Sequence, residues 1–266
     1  MSEVMPAPPK RRMSYSQLSQ LKQCGYSFYL QRIAKDQNGN RLQMATAAWF
    51  MQGTAEHHAI EMWERSGRTI DAVAEFTAEY DRSIAAAMQT HPDEYLWLRG
   101  GRKGRDQDIA ERRAIGIQQV ARYVEWAPTQ PWRIWTDPAG VPALELSFSI
   151  RLGDVEVIGF IDAIWEHEDG SLEPVDWKTG SQKPKAPDQL DLYGTVIREI
   201  FGEEVSQGRF FMLKTWDHEP FPLEDKGDEL TQEYADAAAQ IEAQDFQPNP
   251  GSCFTCVAKF HCPFSR

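Results

Sequence analysis

The sequence predicts an α/β fold, and three observations predict it. Apolar residues recur at helical spacing through most of the first half. Three short strands separated by tight turns occupy the middle. A helix, a further strand and a last helix follow.

Residues 1–13 are Pro-rich and basic and are expected to form a disordered tail. Over 14–33, Leu18, Leu21 and Phe28 mark one helix face. Further helices are expected over 46–65, 70–88 and 106–126, the last closed by Pro128. ALELSFSI then alternates, which places Leu144, Leu146, Phe148 and Ile150 on one side of a strand. LGD turns the chain into VEVIGFIDAIWE, and EDG turns it into SLEPVDWK, giving a three-stranded meander. A helix over 188–201 stops at Gly202, RFFMLKTW (209–216) reads as a strand, and a helix covers 228–244. The turn-rich tail QPNPGSCFTCVAKFHCPFSR holds three of the four cysteines. Residues 14–266 read as one unit: a mainly helical part (14–135), a sheet and helix (140–217) and a cysteine tail (245–266).

A chain of 266 residues with 41% hydrophobic content can bury a real core, and its 9 Trp and 13 Phe argue against disorder. No stretch approaches the roughly 20 apolar residues of a membrane span. The basic N-terminus has no apolar run behind it to make a secretory signal, so a cytoplasmic protein is expected. In a reducing compartment the four cysteines suggest metal or cluster ligands before disulfides. The net charge of −12 opposes a broad phosphate-binding surface, although distribution outweighs the sum. RGGRKGRDQDIAERR concentrates Arg99, Arg102, Lys103, Arg105, Arg112 and Arg113; it is either a DNA-contacting patch or a solvated loop and helix start.

Asp162 lies on the middle strand of the meander, and Asp176 and Lys178 lie on the third. Strand residues two apart share a face, so Asp176 and Lys178 emerge together, and an antiparallel neighbour can bring Asp162 beside them. Two carboxylates at one point suit a hard divalent cation, and a nearby lysine can offset developing negative charge. The plain alternative is a surface hairpin carrying an ion pair.

Gly159, Asp162, Asp176, Lys178, Thr179 and Gly180, in GFID and VDWKTG, give the chain a resemblance to the RecB-like branch of the PD-(D/E)XK nucleases. The resemblance implies a restriction-endonuclease-like core, a mixed central sheet flanked by helices. It also implies metal ligation by Asp162, Asp176 and the backbone carbonyl of Trp177, with Lys178 catalytic. Gln189 and Tyr193 in QLDLY match the branch's Q-x-x-x-Y motif, whose i, i+4 spacing puts both on one helix face toward the active site. GTAEHHAIE is similar to its G-x-x-x-H helix: His57, four residues after Gly53, would be a further metal ligand. His58 points about 100° away around the helix, and Glu61 shares the His57 face one turn on.

Cys253, Cys256 and Cys262 form C-x2-C-x5-C, and Cys24 stands far upstream. Four thiolates can hold zinc or a [4Fe–4S] cluster, and spacing does not choose. The arrangement resembles that of AddB-type and CRISPR-adaptation exonucleases, which implies the iron–sulfur cluster and a subdomain built from both termini. Gly25 departs from the Pro usual after the first cysteine, whereas Pro263 after Cys262 agrees. The resemblance spans about 14–264 and leaves 66–142 without a motif. It implies a Mg²⁺- or Mn²⁺-dependent exonuclease acting on single-stranded DNA ends in recombination, repair, replication or CRISPR and phage DNA processing. No Walker motif is present, so unwinding would need a helicase or recombination partner. The rival readings are a catalytically silent DNA-end-binding module working with a helicase or integrase, and a structural protein held by its metal.

Overall fold

The computed structural model describes residues 11–265. In chain order the elements are β1 (Arg11–Ser14), α1 (Tyr15–Gln23), α2 (Gly25–Arg32), β2 (Thr46–Ala47), α3 (Ala48–Arg65), α4 (Ala72–Thr90), β3 (Trp97–Leu98), α5 (Arg105–Trp126), β4 (Trp132–Ile134), β5 (Leu144–Leu152), β6 (Val155–His167), β7 (Leu172–Lys178), α6 (Asp188–Phe201), β8 (Gln207–Met212), β9 (Phe221–Pro222) and α7 (Gly227–Glu242). Short 3₁₀ turns at Pro250–Thr255 and Lys259–His261 complete the tail. Among the described residues no helix is long and apolar enough to cross a membrane.

The expected disordered tail is corrected at its end. Arg11–Ser14 is a strand parallel to β6, anchored by a fully buried Met13, while residues 1–10 lie outside the described residues. The single helix expected over 14–33 is two. Ser14 caps α1 through a capping box with Gln17, and Cys24, extended at φ −163°, ends α1 and caps α2. The strand expected over 209–216 ends at Met212, where the chain turns through Trp216 at φ 62°.

The meander β5–β6–β7 is present, each pair antiparallel. The crossover through α6 then brings β8 in parallel to β7. One face of the sheet packs Val157, Ile161 and Phe210 against Leu190 and Val196 of α6 and Tyr234 of α7. The other packs Trp165, Trp177 and Phe211 against Ile60 of α3, Phe76 of α4 and Tyr123 of α5. The α3–α5 layer covers only part of its face. Along β6, burial alternates as far as Ile158, Gly159 stays half-buried and Phe160 exposed, and then every residue from Ile161 to Trp165 is buried.

The even alternation expected of β5 breaks at Glu145, whose φ is 44°. Leu144 packs into the α3–α5 cluster, whereas Leu146, Phe148 and Ile150 face the α6 side. β6 changes phase in the same place: Ile161 and Ala163, two apart, belong to opposite clusters. The β5–β6 ladder pairs Leu144 with Ala163 and Leu146 with Ile161, but not Glu145 with Asp162. A local break in the pleat therefore turns both acids out of the regular pattern at one level of the sheet.

Glu56, fully buried on α3, accepts from Gln52 Nε2 at 2.8 Å, and the Gln119 amide, turned to present its nitrogen, donates to it at 2.7 Å. Burial pushes its pKa up to about 7, against the Gln52 bond and the charges of His57 and Arg112. A folded-state pKa raised above the unfolded value contributes stability at low pH that is lost as pH rises through about 7. Glu56→Gln is expected to flatten the pH dependence of urea unfolding between about pH 4.5 and 7. It should raise stability at the upper end by on the order of 2 kcal/mol.

Candidate active site

Two neighbours share one edge of β6. β1 pairs with it over Val155–Ile158, and β7 over Ala163–Glu166. Between them Gly159–Asp162 has no ladder partner on that edge, and the sheet forks. In the fork the Trp177 backbone N–H donates to Asp162 Oδ2 at 2.8 Å, so a side chain takes the place of a strand carbonyl. Asp162 and Asp176 are 8% and 3% exposed.

The other sequence-predicted residues converge on this fork. Lys178 Nζ lies 2.5 Å from Asp176 Oδ2 and donates to Gln189 Oε1 at 2.9 Å. Asp176 Oδ1 accepts from Gln189 Nε2 at 2.7 Å and from the Tyr193 hydroxyl at 3.2 Å. His57 Nε2 bonds the Trp177 carbonyl at 2.7 Å, which turns Nδ1 toward Asp162 at 3.5 Å and Glu145 at 3.6 Å. The Trp177 carbonyl therefore has a partner in His57 and one lone pair left. His58 points away to Glu75 at 3.7 Å. Glu61 holds Arg65 at 2.7 Å, and Arg65 in turn donates to the carbonyl of Leu144 at 2.6 Å, just before Glu145.

Two glycines permit these approaches. A Cβ on Gly53 would meet Thr179 Oγ1 at 3.0 Å, so α3 can lie against the end of β7 and present His57 one turn later. A Cβ on Gly159 would meet the Phe148 ring at 2.7 Å.

Glu145 is the residue that sequence reasoning missed. Alternation marks it only as polar, yet His57, Glu145 and Asp162 each offer a ligand atom within 4.8 Å of the others. Asp176 Oδ2 is buried with no hydrogen bond, because Lys178 approaches it outside hydrogen-bonding geometry. A buried carboxylate oxygen that has an ion-pair partner in Lys178 but no hydrogen bond, beside a His–Glu–Asp cluster, fits a hard divalent ion. The electrostatics agree. Burial raises the Asp162 pKa, helped by Asp176 and Glu145 and opposed by His57. Burial lowers that of His57, but Asp162, Glu145 and Asp176 outweigh it and the net shift is upward. A group of acids this desolvated gains from a cation. The residues line a cavity of about 540 Å³.

The six basic residues of the 99–113 stretch do not join this cavity. Arg99 pairs with Glu94, Lys103 with Glu111, Arg105 with Asp106, Arg112 with Asp108 and Arg113 with Asp81; Arg102 is exposed. Among the described residues the cysteines form no disulfide, and each is half-buried. The tail docks at the α1–α2 junction: Asn249 N–H and Ser27 N–H point at Cys24 Sγ at 3.3 and 3.4 Å, and Ser27 Oγ is 3.3 Å from Cys256 Sγ. Among the described residues, no three of the four sulfurs gather as closely as the His57, Glu145 and Asp162 atoms do.

The model of the PD-(D/E)XK nuclease superfamily matches residues 12–263, a span containing every residue of the fork. The chain belongs to the PD-(D/E)XK nuclease superfamily. It is 32% identical over 265 residues to the Gene 69 protein of Mycobacterium phage D29, covering 94% of this chain and 96% of that one. It is 30% identical to the Gene 69 protein of Mycobacterium phage L5, covering 94% and 95%. The crystal structure of SSO0001 covers 94% of this chain and 96% of its own, at 12% identity and a TM-score of 0.36. Membership in this superfamily makes the chain a metal-dependent nuclease acting on nucleic-acid phosphodiester bonds, and the acidic fork is where such an ion fits.

The left-handed φ of Glu145 strains a side chain that glycine would relieve. Glu145→Gly is expected to raise the metal-free thermal midpoint, by roughly 1 kcal/mol in stability. It should also shrink the further rise on adding Mn²⁺, read in the same thermal scans.

Proposed function

We propose that this chain is a Mg²⁺- or Mn²⁺-dependent deoxyribonuclease that trims single-stranded DNA ends. The observation that carries the reading is the fork itself, where His57 of α3, Asp162 of β6 and Asp176 of β7 line one cavity and Lys178 lies against Asp176. His57, Glu145, Asp162, Asp176 and the second lone pair of the Trp177 carbonyl would hold the ion. When bound, such an ion acidifies a water ligand and offsets charge on the phosphodiester. Lys178, held by Gln189, keeps a positive charge beside Asp176, where it orients the attacking water and stabilises charge growing on the phosphate oxygens. Gln189 and Tyr193 fix the Asp176 carboxylate through its other oxygen. His57, tied to the Trp177 carbonyl, keeps Nδ1 aimed at the acids.

The cysteines have a structural role in the same reading. Cys24, Cys253, Cys256 and Cys262 would carry a [4Fe–4S] cluster that ties the α1–α2 junction to the tail. The N–H groups directed at Cys24 Sγ suit a thiolate. The exposed Arg102 and its neighbours would add contacts to flanking DNA once their acidic partners yield to phosphate. The likeness to phage proteins supports a reading in which the work is done inside an infected cell, in recombination, repair, replication or phage DNA processing, with a helicase or recombination protein supplying single strands.

End-labelled single-stranded DNA in Mn²⁺ tests the chemistry. The wild type is expected to release short products, and chelation should stop it. Asp162→Ala and Lys178→Ala should each lose on the order of 10²-fold or more in rate. Of the two, Lys178→Ala should keep its Mn²⁺-induced thermal shift. Variants that cut like wild type would remove the fork from the mechanism. Anaerobic purification is expected to give a brown protein with about four irons per chain, and zinc instead would overturn the cluster assignment.

A further inference from the structure

Phe160 is 58% exposed in the middle of β6, an unusual place for a phenyl ring inside a sheet. It belongs to neither core cluster that packs the sheet. The reason lies in the partial cover already described. The α3–α5 layer stops at Asp162, so the N-terminal half of β6 and its neighbours keep one face open. On that open face β5 places Ser147 opposite Phe160 and Ser149 opposite Ile158, and β1 places Arg12 beside Glu156 and Ser14 beside Ile158. With three strands about 4.8 Å apart, the strip is about 10 Å across. It leads directly into the fork: Phe160, Arg12, Ser14 and Ser147 line the same cavity as His57, Asp162 and Asp176.

We propose that this open strip is the binding subsite for the single-stranded segment next to the scissile phosphate, with Phe160 stacking on a nucleobase and Arg12 meeting a backbone phosphate. The inference rests on the nuclease reading above and adds the residue that selects unpaired DNA. A base in a duplex has both faces stacked on its neighbours, whereas an unpaired base offers a face to an aromatic ring. The strip's chemistry fits that occupant. It holds a protruding ring, the Ser147 hydroxyl able to bond phosphate or sugar, and the guanidinium of Arg12, while Ser149 is committed to Glu156 at 2.9 Å and Ser14 to the α1 cap. That side chain is 64% exposed and 3.5 Å from Glu156, a surface pair that a phosphate can displace. A chain of net charge −12 has little general attraction for DNA, so stacking supplies what phosphate contacts do not.

The test uses the full-length protein with Ca²⁺ and a short single-stranded oligonucleotide carrying one 2-aminopurine near its end. Stacking on Phe160 should quench the probe. Phe160→Ala and Phe160→Leu are expected to weaken binding roughly 5- to 150-fold and to restore fluorescence, without lowering the thermal midpoint. The leucine variant keeps the apolar bulk and lacks the ring, while Phe160→Tyr should bind and quench as wild type does. Affinity for a blunt duplex should change far less. Arg12→Ala should reduce the slope of log affinity against log salt by about 0.7, one single-strand phosphate contact. Wild-type affinity and quenching in Phe160→Leu, in a protein whose wild type cuts DNA in Mn²⁺, would overturn this assignment alone. A wild type that neither binds nor cuts single strands would overturn the nuclease reading with it.

Discussion

The architecture is governed by the cost of gathering carboxylates in a nearly dry fork of a sheet. Asp162 and Asp176 are almost fully buried, and Glu145 is within reach of the first. Unpaired acids at such a place repel one another and lose hydration, so the surroundings must supply positive charge and N–H donors. The chain supplies Lys178, His57, the Trp177 amide and the Gln189–Tyr193 pair. Even so, one oxygen of Asp176 remains without a hydrogen bond. A divalent cation completes the account, which is why the same cluster that weakens the empty fold is suited to hold an ion.

The sheet is shaped to meet this requirement. Regular pairing would carry β1, β6 and β7 past one another with every backbone group bonded. Here β1 leaves β6 before β7 joins it, and the gap is filled by side chains in place of a ladder. The break in the pleat at Glu145 and Asp162 sits at the same level. Strain and missing ladder bonds are concentrated at the site, and the two cores on either side of the sheet hold them in place. The open half-face of β6 follows from the same geometry, because the helical layer that presents His57 ends where the acids begin.

Much of this was legible in the sequence. The meander, the α6 helix with its Gly202 stop, and the α3 and α5 helices lie within two residues of their expected bounds, because strong periodicity and clear turn residues marked them. Asp162, Asp176 and Lys178 do meet, as their strand spacing suggested, and Gln189, Tyr193 and His57 join them, as the family resemblance implied. Other features were hidden. Met13 ends a basic, Pro-rich stretch that reads as tail, and only the available edge of β6 makes it core. The 14–33 helix breaks at Cys24, where the tail docks from more than two hundred residues away. The basic stretch reads as a positive patch in sequence, but acids from α4, α5 and the turn before β3 neutralise much of it.

The sequence by itself determined the chemistry that can occur: which acids, which lysine and which histidine are available, and which of them share a strand face or a helix turn. These are local facts, set by the two-residue and 3.6-residue periods of the backbone. Only the tertiary structure decided that Glu145 joins the site, that the Trp177 carbonyl is held by His57, and that Phe160 stands open beside the acids. Each of these depends on where strands part and where a helical layer stops. Those positions are fixed by long-range packing on both faces of the sheet, and no local pattern of residues encodes them.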